Sequence, residues 1–109
     1  MVNDQHTGPM IQEVVRRVVE SFHPLRIILF GSAARGETGP DSDVDLLVVM
    51  PEGTKRLETT QALHLRLFGI PVSVDFLVAT PSDLERHREN IGLVYRTILR
   101  EGKELYAAA

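Results

Sequence analysis

Residues 29–50, LFGSAARGETGPDSDVDLLVVM, decide how this chain folds. Apolar runs flank a middle section of small and polar residues that no core could bury. Ile27, Ile28, Leu29 and Phe30 read as a short buried strand, stopped at Gly31-Ser32. Residues 44–50 are almost uninterrupted apolar sequence and read as a second strand, stopped by Pro51. Asp43 and Asp45 stand where that strand begins, two residues apart. Side chains so spaced point to one face of a strand, so both carboxylates should project together at one end of the sheet. Paired carboxylates repel unless something cationic lies between them, and a divalent metal is the simplest such group.

The glycine and serine extend this chemistry. Gly31 lets the backbone come close to a ligand and take unusual dihedrals. Ser32 offers a hydroxyl and an amide N–H where a helix could begin, a suitable place for phosphate. Mg²⁺ typically takes one or two carboxylates and fills its octahedron with water and substrate phosphates. GS dipeptides and DxD triplets are each common. The order strand, GS, ten residues, DxD, strand is far more specific, and it points to a metal–nucleotide site.

This order resembles the signature of the DNA polymerase beta-like nucleotidyltransferase superfamily: GS, ten intervening residues, then DxD. Here it is Gly31-Ser32, residues 33–42, then Asp43-Val44-Asp45. The superfamily adds a third carboxylate from a later strand, and Asp75, in VSVDFLV at residues 72–78, matches it. The short chain most resembles the minimal, MntA-like nucleotidyltransferases, over residues 10–106. The resemblance implies a palm-like core that transfers a nucleoside monophosphate, AMP from ATP being favoured, to an acceptor hydroxyl. It implies Asp43, Asp45 and Asp75 as metal ligands and catalytic residues for two Mg²⁺ ions, with Gly31 and Ser32 at the β/γ-phosphates. Arg35 would steady the triphosphate or pair with Glu37 or Asp41. Ser42 would touch the metal shell or cap the strand. In the resembled family a helical HEPN-type protein often completes the unit. That partner is either a toxin modified on a tyrosine, with this chain as antitoxin, or a subunit that presents a small molecule. A third reading, from another class, is a non-catalytic module that neutralises its partner by contact.

Composition sets bounds on these readings. The 109 residues are expected to form a single domain, with residues 1–8 and 107–109 flexible. A formal net charge of −3 gives no basic footprint for nucleic acid, so a polymerase role is not expected. No cysteine is present, which removes disulfides, thiolate metal sites and a cysteine nucleophile. No signal peptide or membrane-length apolar run is seen, so the expected location is the cytoplasm; homo-oligomers are left open. His6, His23, His64 and His87 are scattered without metal-ligand spacing and read as surface residues.

The fold expectation is α/β (α+β), a three-stranded mixed sheet with about four helices. Ile11, Val14, Val15, Val18, Val19 and Phe22 form a helical stripe that Pro24 ends. Helices are expected over 55–68, 81–90 and around Ile91, Val94, Tyr95, Ile98 and Leu99, with Gly102 closing the last. Thr80-Pro81-Ser82-Asp83 reads as a helix N-cap with Pro at the first helical position. Ser32 and the aspartates meet only if the first two strands are antiparallel. Asp75 joins them only if the third runs parallel to the second, with the 55–68 helix as crossover.

Overall fold

The computed structural model describes residues 8–31, 44–86 and 93–108. The elements are α1 (Pro9–Phe22), β1 (Arg26–Phe30), β2 (Val44–Val49), α2 (Arg56–Arg66), β3 (Val74–Ala79), α3 (Pro81–Arg86), α4 (Leu93–Glu101) and β4 (Lys103–Ala107). The sheet order is β3-β2-β1-β4. β1 runs antiparallel to β2, and β2 parallel to β3, as the chemistry of the carboxylates required.

Alternation along the strands divides the core into two layers. On one face Ile27, Leu29, Val44, Leu46, Val48, Val74 and Val78 pack with Val14, Val15 and Val18 of α1 and Leu63 of α2. On the other face Ile28, Leu47, Val49 and Ala79 pack with Ile98 of α4, and Leu84 of α3 lies against them. The valines of α1 cost some helix propensity, and burial of the stripe offsets it. His23 ends α1 in the left-handed conformation, its N–H donating to Val19 O.

The sheet has one strand more than the three expected. β4 pairs antiparallel with β1, and Ala107, expected in a frayed tail, stands opposite Arg26. Its register slips between Ile27 and Ile28, so Leu105 and Tyr106 both reach the α1 side of the core. Gly102 permits the turn from α4 into β4: a Cβ there would lie 2.6 Å from Ile28 Cγ2 and 2.5 Å from Ile98 O. The third strand starts at Val74 rather than at residue 72, because Val72 N–H turns back to Ile70 O. Ser73 therefore lies outside the strand; its carbonyl accepts the Val44 N–H at 2.9 Å and aligns β2 with β3. The continuation of the expected 81–90 helix past Arg86, and Ile91, fall outside the described residues.

The cap of α3 forms as its sequence suggests. Thr80 N–H donates to Asp83 Oδ2 at 2.9 Å, and Asp83 N–H donates to Thr80 Oγ1 at 3.3 Å. Glu52, in the turn after β2, accepts from the Ser82 N–H and Oγ, both at 2.7 Å, tying that turn to α3. The Thr80 amide bond holds the buried Asp83 carboxyl below its ordinary range, against the opposing effect of burial. A depressed carboxyl stabilises the fold above its unfolded pKa, and that contribution is lost as pH falls through the folded value. Asp83→Ala should therefore cost about 1 kcal/mol at pH 7. In urea titrations the difference from the parent protein should shrink below the ordinary aspartate range.

Candidate active site

The parallel register sets Asp45 beside Asp75, and the antiparallel register sets Phe30 across from Asp45. One row of the sheet thus reads Phe30, Asp45, Asp75. Adjacent strands lie about 4.8 Å apart, so the two aspartates are neighbours on one face. They share that face with Leu47, Val49, Leu77 and Ala79, which pass into the α3/α4 core layer. The face is apolar along its length and acidic at one end. Asp45 is half-buried, while Asp75 is exposed.

Gly31 completes the described part of the site. Its φ is +76°, a left-handed conformation that side chains rarely adopt. A Cβ at this position would overlap Asp45 Oδ2 and come within 3.4 Å of Asp45 Cγ. The backbone at the end of β1 therefore lies directly against the Asp45 carboxylate, and only glycine leaves room for it. The Gly31 backbone and the Asp45 carboxylate are thus in close approach at the end of β1 and the start of β2.

The donor chemistry suits a hard cation. Two carboxylates in register supply only oxygen, and Mg²⁺ commonly uses one or two carboxylates with water and phosphate oxygens. Among the described residues no group of three or more His, Cys, Asp or Glu could hold a metal ion. The third expected acid, Asp43, together with Ser32, Arg35 and Ser42, lies outside the described residues. Of the expected site, the structure brings together Gly31, Asp45 and Asp75. Phe30, in the same row, was not singled out from sequence; its only signal was its place one residue before Gly31.

Residues 11–106 match the model of the nucleotidyltransferase domain family. The chain belongs to this family. Among solved structures it is similar to a candidate nucleotidyltransferase from Sulfolobus solfataricus, with 29% identity, coverage of 71% of this chain and 69% of that one, and a TM-score of 0.53. A toxin–antitoxin complex with AMP-PNP shares the fold at 21% identity and a TM-score of 0.62, covering 89% and 73% of the two chains. A mutant of the toxin–antitoxin MntA–HpeT shares it at 18% identity and a TM-score of 0.58, covering 89% and 72%. No curated protein matches the chain. The mixed sheet and helices are those of a nucleotidyltransferase fold.

Gly31→Ala tests the contact at the centre of the site. It forces a Cβ into Asp45 and strains a positive φ, so a loss of about 1–3 kcal/mol is expected in denaturant unfolding. Mg²⁺ affinity, measured by calorimetry on the fraction that remains folded, should fall as well, because Asp45 must move.

Proposed function

We propose that this chain transfers a nucleoside monophosphate, AMP from ATP being favoured, to a hydroxyl of a partner protein. The observation that carries this reading is the register of Asp45 and Asp75 beside the Gly31 turn. The family supports monophosphate transfer in general, and two solved structures of the same fold are toxin–antitoxin assemblies, one of them with AMP-PNP. In this reading the partner is a HEPN-type toxin, the acceptor is a tyrosine, and the chain is its cytoplasmic antitoxin. No helix among the described residues is long and apolar enough to cross a membrane.

Asp43, Asp45 and Asp75 would hold two Mg²⁺ ions, which when bound would supply charge neutralisation for the triphosphate and the departing pyrophosphate. The Gly31 backbone and Ser32 would seat the β- and γ-phosphates, and Arg35 and Ser42 are the further candidates to steady them. Asp75, the exposed acid, takes the proton of the acceptor hydroxyl. The acceptor oxygen then bonds to the α-phosphorus, the bond from that phosphorus to the bridging oxygen breaks, and pyrophosphate leaves. Positioning and charge stabilisation carry the rate.

Asp45→Asn and Asp75→Asn should each lower transfer by about 100-fold or more. The fold should survive, since neither carboxylate is in the apolar core. Intact-mass spectrometry of the partner after incubation with ATP and Mg²⁺ measures the step: one AMP is added by the parent protein and none by the variants. Relief of toxicity by an Asp45→Asn/Asp75→Asn double variant at normal expression would instead identify a contact-only module. AMP transferred to a small molecule would identify the partner as a substrate-presenting subunit.

A further inference from the structure

The row of acids has one apolar member. On this face the sheet presents Phe30, Asp45 and Asp75 in its first row, then Ile28, Leu47 and Leu77, then Arg26, Val49 and Ala79. The second row and most of the third form the apolar layer that packs with α4 and Leu84. Among the described strand residues, Phe30 alone carries that layer forward into the row of the carboxylates. Its side chain packs against the layer and is half-buried. An aromatic ring at the border of an apolar layer and an acidic end touches both environments at once.

The two acids of that row differ in freedom. Asp45 is hemmed in. Leu47, next on its face of β2, is fully buried behind it. The Gly31 backbone closes on its Oδ2. Phe30 faces it across the antiparallel pair, where opposed Cβ atoms lie about 4.5–5.5 Å apart. Asp75 stands on the strand that ends the sheet among the described residues, and it is exposed. Two identical carboxylates are thus held to different degrees, and Phe30 is the side chain that belongs to only one of them.

A ring in this place acts on Asp45 in two ways. The χ1 torsion of an aspartate has three staggered wells. A phenyl group beside the carboxylate takes up space that other wells need, so the carboxylate stays against Gly31. The ring also replaces water with hydrocarbon on that side, where attraction between a carboxylate and a cation is less screened. We propose that Phe30 is the positioning residue of Asp45, making Asp45 the fixed ligand of the divalent metal and leaving Asp75 as the carboxylate that adjusts. Phe30 itself touches no reacting atom and acts through Asp45. This rests on the proposed reading that the carboxylates hold Mg²⁺, and a measurement made without metal separates the two.

The experiment uses the full chain. Three-bond NMR couplings from Asp45 Cγ to the backbone N and carbonyl carbon report its χ1 populations in the absence of metal. The parent protein should show one dominant well, and Phe30→Ala should average over several. Phe30→Tyr, which keeps the ring, should retain the single well. Mg²⁺ affinity measured by calorimetry should fall roughly 10-fold in Phe30→Ala, the scale for a group that acts through a metal ligand, and stay close to the parent value in Phe30→Tyr. Leu84→Ala cuts the same apolar layer from α3, which follows the end of β3 remote from Asp75. It should lower the melting temperature and leave the Asp45 couplings and the Mg²⁺ affinity unchanged. Where Phe30→Ala fails to fold, Phe30→Leu takes its place and should shift the couplings in the same direction. Averaged couplings in the parent protein would overturn the inference. So would a single well retained in Phe30→Ala or Phe30→Leu, a well lost in Phe30→Tyr, or the same effect from Leu84→Ala. If the couplings respond as expected but the parent protein binds no Mg²⁺, the positioning of Asp45 by Phe30 stands and the metal reading falls.

Discussion

Parallel pairing of β2 with β3 is the constraint on which the rest of this protein depends. It places Asp45 beside Asp75, and it can exist only if the chain returns across the sheet between the two strands. α2 makes that return, and burial of Leu63 and of Leu67 at its C-cap holds the returning segment on the sheet. The Val44 N–H to Ser73 O bond then fixes the register at the functional end. A slip of one residue would turn one aspartate to the opposite face and separate the pair.

Two carboxylates held side by side are unfavourable by themselves, and the fold limits that cost by where it places them. The polar end of the row lies at the sheet margin, where Asp75 is open to water, while the interior of the same face is filled by Leu47, Val49 and Ala79. Gly31 has the complementary role: having no side chain, it lets the end of β1 close on Asp45. Strain and repulsion are concentrated at the site, and the two apolar layers behind it supply the stability that tolerates them.

Much of this was legible in the sequence, for reasons that differ by element. β1, β2 and α1 were clear because their apolar runs and 3.6-residue spacing have no competing reading. Asp75 was legible as a lone acid in an apolar strand. The antiparallel and parallel senses followed from requiring Ser32, Asp43, Asp45 and Asp75 to meet, and the strand pairings agree with them. β4 was not legible: Lys, Glu and Ala are weak strand formers, and what makes KELYA a strand is an exposed edge of β1 far away in sequence. Over residues 55–68 the spacing of Leu57, Leu63, Leu67 and Phe68 is less regular than in α1, and the structure buries Leu63 and Leu67 but leaves Leu57 and Phe68 exposed. Hydrophobicity alone cannot say which apolar residues of a helix face inward when a second apolar face is also present. Asp43, Ser32, Arg35 and Ser42 lie outside the described residues, so their part of the site rests on sequence.

The two margins of the sheet are unlike, and this bears on how the architecture can grow. On one side β4 closes the sheet with a register slip and carries Lys103 and Glu104, with Glu104 ion-paired to Arg26 at 2.6 Å. A bulged, charged margin resists further strands. On the other side β3 ends the sheet with VDFLVA, which has no bulge, proline or lysine. Additional strands, whether fused by design or acquired by descent, would therefore be accommodated beside β3. There they would lengthen the platform next to Asp75 and leave Gly31 and the β1 turn untouched.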